Sequence, residues 1–174
     1  MVGRGSRTSA STAGTAAAGR IRHRILIIEG RFYDHICDAL LQGATAELEA
    51  AGAAYDVVTV PGALEIPQVL SLAVSAGLIP ATAPTAWYSG AIALGCVIRG
   101  ETSHYDIVCN NANHWLMDVA TRHSIPVGNG ILTVDTEEQA LARAQGGREG
   151  KGGDAARACL RLIEVARQFQ GQSS

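Results

Sequence analysis

Between an apolar run and a helix-like pattern the chain reads Gly95-Cys96-Val97-Ile98-Arg99-Gly100-Glu101-Thr102-Ser103-His104-Tyr105-Asp106. The run, Ala91 to Ile98, has the layout of a strand that ends at the carboxyl edge of a parallel sheet and feeds a helix. In open α/β sheets that edge is where ligands bind. The first N–H groups of a helix have no intrahelical partner and carry partial positive charge, so a phosphate or carboxylate can rest on them. His104 falls within the first turn of the expected helix. A histidine beside an anion cradle suits acid/base chemistry on a phosphorylated small molecule. A structural histidine after an ordinary βα turn satisfies the spacing alone equally well.

The flanking elements repeat one pattern. Arg24 to Ile28 is a β-branched run of the kind buried on both faces of a parallel sheet. Asp34 is the expected N-cap of a helix that carries Ile36, Leu40, Leu41, Ala44 and Leu48 on one side and closes at Gly52. Tyr55 to Val60 is a second strand. Pro61-Gly62-Ala63-Leu64-Glu65-Ile66-Pro67 turns into a second helix that stops near Gly77, with Pro67 tolerated in its first turn. Pro80 to Gly90 reads as a surface loop. The helix from His104 runs to about His123, with Val108, Ala112, Trp115, Leu116, Val119 and Ala120 as its apolar set.

Ile125 to Val134 is a fourth strand, interrupted by Gly128-Asn129-Gly130. Thr136-Glu137-Glu138-Gln139 is a capping box opening a short helix. Gly146 to Gly153 reads as a flexible linker, and 154–168 as a terminal helix with Ala158, Leu162, Val165 and Phe169 on its apolar side. Four strand–helix alternations imply a doubly wound parallel sheet in a single-domain three-layer α/β/α sandwich, four βα units plus a C-terminal helix. The loops Gly30 to Asp34, Pro61 to Pro67 and Arg99 to His104 then share one sheet edge and can converge on one ligand.

The 174 residues suit one domain, spanning 21–174 after an arm at 1–20. That arm holds Gly, Ala, Ser, Thr and three Arg, with no acid and one Val, and cannot bury a core, so it is expected to be disordered. Hydrophobic residues at 47% supply a core, and charged residues at only 17% leave part of the surface to be covered in an oligomer. A net charge of −2 gives no footprint for nucleic acid or a membrane surface. Cys37, Cys96, Cys109 and Cys159 lie far apart with no Cys-x-x-Cys, as reduced thiols of a cytoplasmic protein do, and metal binding through them is not expected.

Three of these segments together resemble the lumazine synthase family: Gly30-Arg31-Phe32-Tyr33-Asp34, Val60-Pro61-Gly62-Ala63-Leu64-Glu65-Ile66-Pro67, and Val97 to Asp106. Pro126-Val127 and Gly130-Ile131-Leu132-Thr133 follow in the right order, so the likeness covers about residues 24–168. It implies a flavodoxin-like fold and a place in riboflavin biosynthesis. Such enzymes condense 5-amino-6-(D-ribitylamino)uracil with 3,4-dihydroxy-2-butanone 4-phosphate to give 6,7-dimethyl-8-ribityllumazine, phosphate and water, without metal or organic cofactor.

The likeness also implies roles. Phe32 stacks on the pyrimidine, and Ala63, Leu64 and Glu65 line the ribityl and ring pocket. Cys96, Val97 and Ile98 meet the pyrimidine edge through backbone groups, and Glu101 and Thr102 offer N–H groups to the phosphate. His104 transfers protons. Arg143 of a neighbouring subunit pairs with the phosphate, and Lys151 matches a lysine near the same corner. Plainer readings stand beside these: Phe32 as a loop anchor, Glu65 as an acid favoured at a helix start, Arg143 as a solvated charge, His114 and His123 as surface or packing residues. Cys96 is read as a spectator, because the uracil amine is itself the nucleophile.

Two departures bear on the expectation. Many relatives carry an aromatic residue where Asn129 stands, stacking from the neighbouring subunit. The turn Gln145 to Lys151 is looser than in shell-forming relatives, so a homopentamer with sites at its interfaces is expected. A flavin- or lumazine-binding protein with weak or no turnover is the alternative. A phosphoacceptor signalling domain would need an acid where Gly95-Cys96-Val97 stands.

Overall fold

The computed structural model describes residues 23–171, and the expected arm at 1–20 lies outside them. The elements are β1 (Arg24–Gly30), α1 (Asp34–Ala50), β2 (Ala54–Val60), α2 (Ile66–Ser75), β3 (Gly90–Ile98), α3 (His104–Arg122), β4 (Val127–Val134), α4 (Glu137–Ala144) and α5 (Lys151–Gly171). Short 3₁₀ turns at Ala63–Glu65 and Gly147–Glu149 precede α2 and α5. The four strands form one parallel sheet in the order β2-β1-β3-β4. Helices cover both faces, giving the expected flavodoxin-like sandwich.

Alternation along the strands divides the core in two. Ile25, Ile27, Ile92 and Leu94 point to α1, α4 and α5, where they meet Leu40, Leu48, Ala140 and Ala156. Leu26, Ile28, Ala91 and Ala93 point to α2 and α3, where they meet Ile66, Leu70, Leu116 and Ala120. Because both faces are covered, the central strands carry continuous apolar runs, Ile25 to Ile28 and Ala91 to Leu94, rather than alternating. Among the described residues no helix is long and apolar enough to cross a membrane.

Several local expectations change. Asp34 is the first residue of α1, and Tyr33 is its N-cap with no side-chain bond. The Asp34 carboxylate turns instead to the Arg31 guanidinium, at 3.0 Å. Gly52 does close α1, in the left-handed region at φ 69°. On α3 the packed face is Ala112, Leu116 and Ala120, and Trp115, a third of a turn away from Leu116, is 50% exposed.

β4 runs unbroken through Gly128-Asn129-Gly130 and begins at Val127, after Ile125-Pro126. The glycines make room rather than a break. A Cβ on Gly128 would collide with the Ala155 carbonyl oxygen of α5, and one on Gly130 would come 2.8 Å from Leu94 Cδ2. The same close approach selects the inner face of α5. Ala155, Ala156, Cys159 and Ile163 are buried there, whereas Leu162 and Phe169 point outward and are exposed.

The expected linker at 146–153 is structured and packed at three of its glycines, although Gly146, Arg148, Glu149 and Lys151 are exposed. Gly150, Gly152 and Gly153 are buried, and α5 already begins at Lys151. A Cβ on Gly152 would run into the Leu40 carbonyl oxygen of α1, and one on Gly153 into that of Arg148. Glu47 of α1 closes the assembly by accepting from Arg148 Nε at 2.8 Å and Arg157 Nη1 at 3.0 Å.

Candidate active site

The strand order fixes where a site can form. From β1 the chain moves outward to β2, then returns past β1 to β3, so direction reverses between the adjacent strands β1 and β3. Loops leaving their carboxyl ends part there and open a crevice. The loop after β2 is drawn to the same place: Arg31 N–H donates to the Val60 carbonyl at 2.9 Å. Gly30 lies so near Gly62 that a Cβ on it would sit 2.7 Å from the Gly62 carbonyl carbon.

The result is a cleft of about 370 Å³ with three walls. Phe32 and Tyr33 form the first, and Pro61, Gly62, Ala63, Leu64 and Glu65 the second. The third is Cys96, Val97, Ile98, Gly100, Thr102, His104, Tyr105 and Val108. Three stretches distant in sequence thus meet as anticipated, and Phe32, Ala63, Leu64, Glu65, Cys96, Val97, Ile98, Thr102 and His104 face one space.

Each wall differs in character. Phe32 is 72% exposed and touches Tyr33 edge to face, with ring centroids 5.0 Å apart. Its loop is held from behind by Arg31, which binds Glu29, Asp34 and Asp38. Glu29 is almost wholly buried and also accepts from Thr59 Oγ1 at 2.8 Å. Glu65 ends the 3₁₀ turn that presents Ala63 and Leu64.

His104 is the first residue of α3, and residues 99–104 are all exposed. Its backbone N–H donates to Thr102 Oγ1 at 3.3 Å. Ser103, at the N-cap, makes no side-chain cap bond. The start of α3 thus lacks an N-cap bond from Ser103, and Thr102 Oγ1 is the side chain that meets the partial positive charge there. Burial, aided by the neighbouring Cys37, pushes the Cys96 thiol up to about 12. It stays protonated near neutrality and is a poor nucleophile.

Four anticipated residues lie outside the cleft of their own chain. Glu101 is exposed in the turn before α3. Asn129 points outward from β4, its amide donating to Asn113 Oδ1 at 2.7 Å and its oxygen accepting from Ile131 N–H at 3.0 Å. Arg143, on α4, donates to the Gln139 carbonyl at 2.9 Å. Lys151 opens α5 and pairs with Asp154 at 3.1 Å. Of the lining residues that had no assigned role, Tyr33, Pro61, Gly62, Gly100 and Tyr105 sit beside assigned ones in the same motifs. Val108 follows His104 at i+4, so helical spacing alone could have found it.

Comparison with known proteins agrees with this geometry. The family model for 6,7-dimethyl-8-ribityllumazine synthase matches residues 22–167. A Rhodopseudomonas palustris protein named 6,7-dimethyl-8-ribityllumazine synthase 1 is 54% identical over 146 residues, 84% of this chain and 87% of its own. The Agrobacterium fabrum 6,7-dimethyl-8-ribityllumazine synthase is 52% identical over 147 residues, 84% of this chain and 97% of its own. That of Azorhizobium caulinodans is 49% identical over 163 residues, covering 94% and 96%. Sequence motifs, sheet topology and family match converge, and the chain belongs to the 6,7-dimethyl-8-ribityllumazine synthase family.

Proposed function

We propose that this chain is a cytoplasmic 6,7-dimethyl-8-ribityllumazine synthase of riboflavin biosynthesis. It condenses 5-amino-6-(D-ribitylamino)uracil with 3,4-dihydroxy-2-butanone 4-phosphate, giving the lumazine, phosphate and water. The observation that carries the reading is the single cleft onto which all three family motifs open, with His104 at its rim.

In this reading Phe32 stacks on the pyrimidine, and the 96–98 backbone reads its edge. Glu65 accepts hydrogen bonds from ribityl hydroxyls, beside Ala63 and Leu64. The phosphate rests on N–H groups of Glu101 and Thr102 at the start of α3, where the helix dipole favours an anion. The uracil amine attacks the ketone, losing water to form an imine. Phosphate leaves, and the second amine closes the ring with loss of a further water. His104 takes and returns protons between these steps. The raised Cys96 thiol supports its role as a bystander. Holding two soluble partners in register supplies much of the rate.

The electropositive partner of the phosphate is Arg143 of a neighbouring subunit, with Asn129 and Lys151 at the same junction, in a homopentamer. Support for a ring comes from Leu72 on α2 and from Ile107 and Trp115 on α3, large apolar side chains left exposed in one chain. The packed turn at 146–153 removes one argument against a larger shell, so sedimentation of a particle near a megadalton would replace the pentamer with a shell.

The deciding experiment gives purified protein both substrates in the presence of a chelator. Fluorescent lumazine and phosphate should appear well above the uncatalysed rate. Background rates with ligand still bound would instead establish the binding-protein reading. His104→Asn should slow turnover roughly ten- to a thousandfold, most of the remaining rate coming from proximity. Mixing His104→Asn and Arg143→Ala chains should restore about a quarter of the sites, since each interface joins two different faces. Mixed rings as inactive as their parents would place both residues in one subunit.

A further inference from the structure

We infer that Arg99 is a positioning residue for His104, acting through the first turn of α3; the role assigned to His104 rests on the function proposed above. Arg99 does not line the cleft. Arg99, directly after β3, ties the end of β4 to the start of α3 at the carboxyl edge of the sheet. Its backbone N–H donates to the Val134 carbonyl at 2.9 Å, at the end of β4. Its Nε donates to Asp135 Oδ1 at 3.0 Å, just beyond β4. Its Nη1 lies 3.5 Å from Asp106 Oδ1, in the first turn of α3. Its Cζ sits 4.1 Å from the centroid of the Tyr105 ring, and Tyr105 is the cleft residue directly after His104.

The helix start needs such an anchor. Ser103 supplies no cap bond, His104 N–H finds only Thr102 Oγ1 at 3.3 Å, and the 99–104 turn is exposed throughout. A first turn that is exposed and held by one long cap bond frays, and a histidine riding on it samples many positions. A bare cation at a helix N-terminus is itself unfavourable. Here Asp106 and Asp135 neutralise it, and the planar guanidinium is free to stack on Tyr105. The ring and the fork together fix the azimuth of the first turn, and with it the side of the cleft that His104 faces. A lysine at this position carries the charge but neither the plane nor the fork.

The test compares Arg99→Ala, Arg99→Lys and Asp135→Asn with the unaltered protein. In the ligand-free protein, amide hydrogen exchange at 104–107 should accelerate in Arg99→Ala while the strands stay protected, and the His104 imidazole resonances should move. kcat should fall on the order of ten- to a hundredfold, the scale of a misplaced catalytic group, with KM nearly unchanged. Arg99→Lys should recover only a small part of kcat. Asp135→Asn should act in the same direction but more weakly, and it decides the matter if Arg99→Ala does not fold. Unchanged exchange and imidazole signals in the variants, or full kcat in Arg99→Lys, would overturn the inference. Failure of the unaltered protein to turn over would sink the proposed function instead, and the exchange and imidazole results would still decide the anchor.

Discussion

Two glycine-bearing connections of similar polarity end in opposite physical states. The turn from Arg99 to His104 is exposed at every residue, and a Cβ added to Gly100 would meet nothing within 4 Å. The connection from Gln145 into α5 is exposed at Gln145, Gly146, Arg148, Glu149 and Lys151 but pinned at three glycines. Gly150 is buried with Gly152 and Gly153, and Cβ atoms there would strike the Gln145, Leu40 and Arg148 carbonyl oxygens. One turn leaves its backbone exposed, and the other spends its lack of side chains on letting helices touch. Glycine content alone does not separate these uses. What separates them is whether another backbone occupies the space that a Cβ would take.

The largest expected break in this contrast is Gly152→Ala. The methyl group must push α1 and α5 apart against carbonyl oxygens that cannot move alone. Overpacking of this kind should cost on the order of 3 kcal/mol. For a chain of this size that is a fall of roughly 6–12 °C in melting temperature. A melting temperature within a degree or two of the unaltered protein would mean that the contact between α1 and α5 yields easily.

A smaller effect sharpens the electrostatic side. Glu47 is held below the ordinary carboxylate range chiefly by its bond from Arg148, with Arg157 adding, and Asp154 by Lys151 and Arg157. A carboxyl depressed in the folded state stabilises it above the unfolded value and loses that contribution as pH falls through the folded one. Stability should therefore decline as the solution is acidified below about pH 5, near the ordinary glutamate value and under it. Glu47→Gln should cost about 1–2 kcal/mol at pH 7, the scale of a charge-assisted hydrogen bond. Its deficit against the unaltered protein should shrink with acidification. A deficit that is constant from pH 7 to 3 in urea titrations would rule out the ion pairs as its source.

The smallest effect belongs to the open turn. Gly100→Ala adds a methyl group into empty space at a residue outside the left-handed region, and should shift stability by no more than about 0.5 kcal/mol. A cost like that of Gly152→Ala would show that the two turns are alike after all.

Much of the architecture was legible because it is local. β-branched runs at β1 and β3, the periodic apolar face of α1 and the capping box before α4 each encode their element through dihedral preference and period. Thr136 Oγ1 does accept from Gln139 N–H, at 3.3 Å. The cleft residues were legible as three motifs. Periodicity misread α5, since Ala158, Leu162 and Phe169 share an apolar stripe that faces outward. The inner face is chosen instead by small residues that let the helix approach Gly128 and Gly130.

By itself the sequence determined the strands and helices, their order along the chain, the family likeness, and the arrival of His104 at a helix start after β3. The tertiary structure alone decided that β1 and β3 are neighbours with the β2 loop folded in beside them. It also decided that Gly150, Gly152 and Gly153 are packed, and that Arg99 reaches across to Asp135 and Tyr105. The physical reason is one of range. Backbone preference and apolar period act over a turn or two and can be read from neighbours in sequence. The approach of Gly152 to Leu40, or of Arg99 to Asp135, depends on which distant surfaces fill the same space, and only the packed chain settles that.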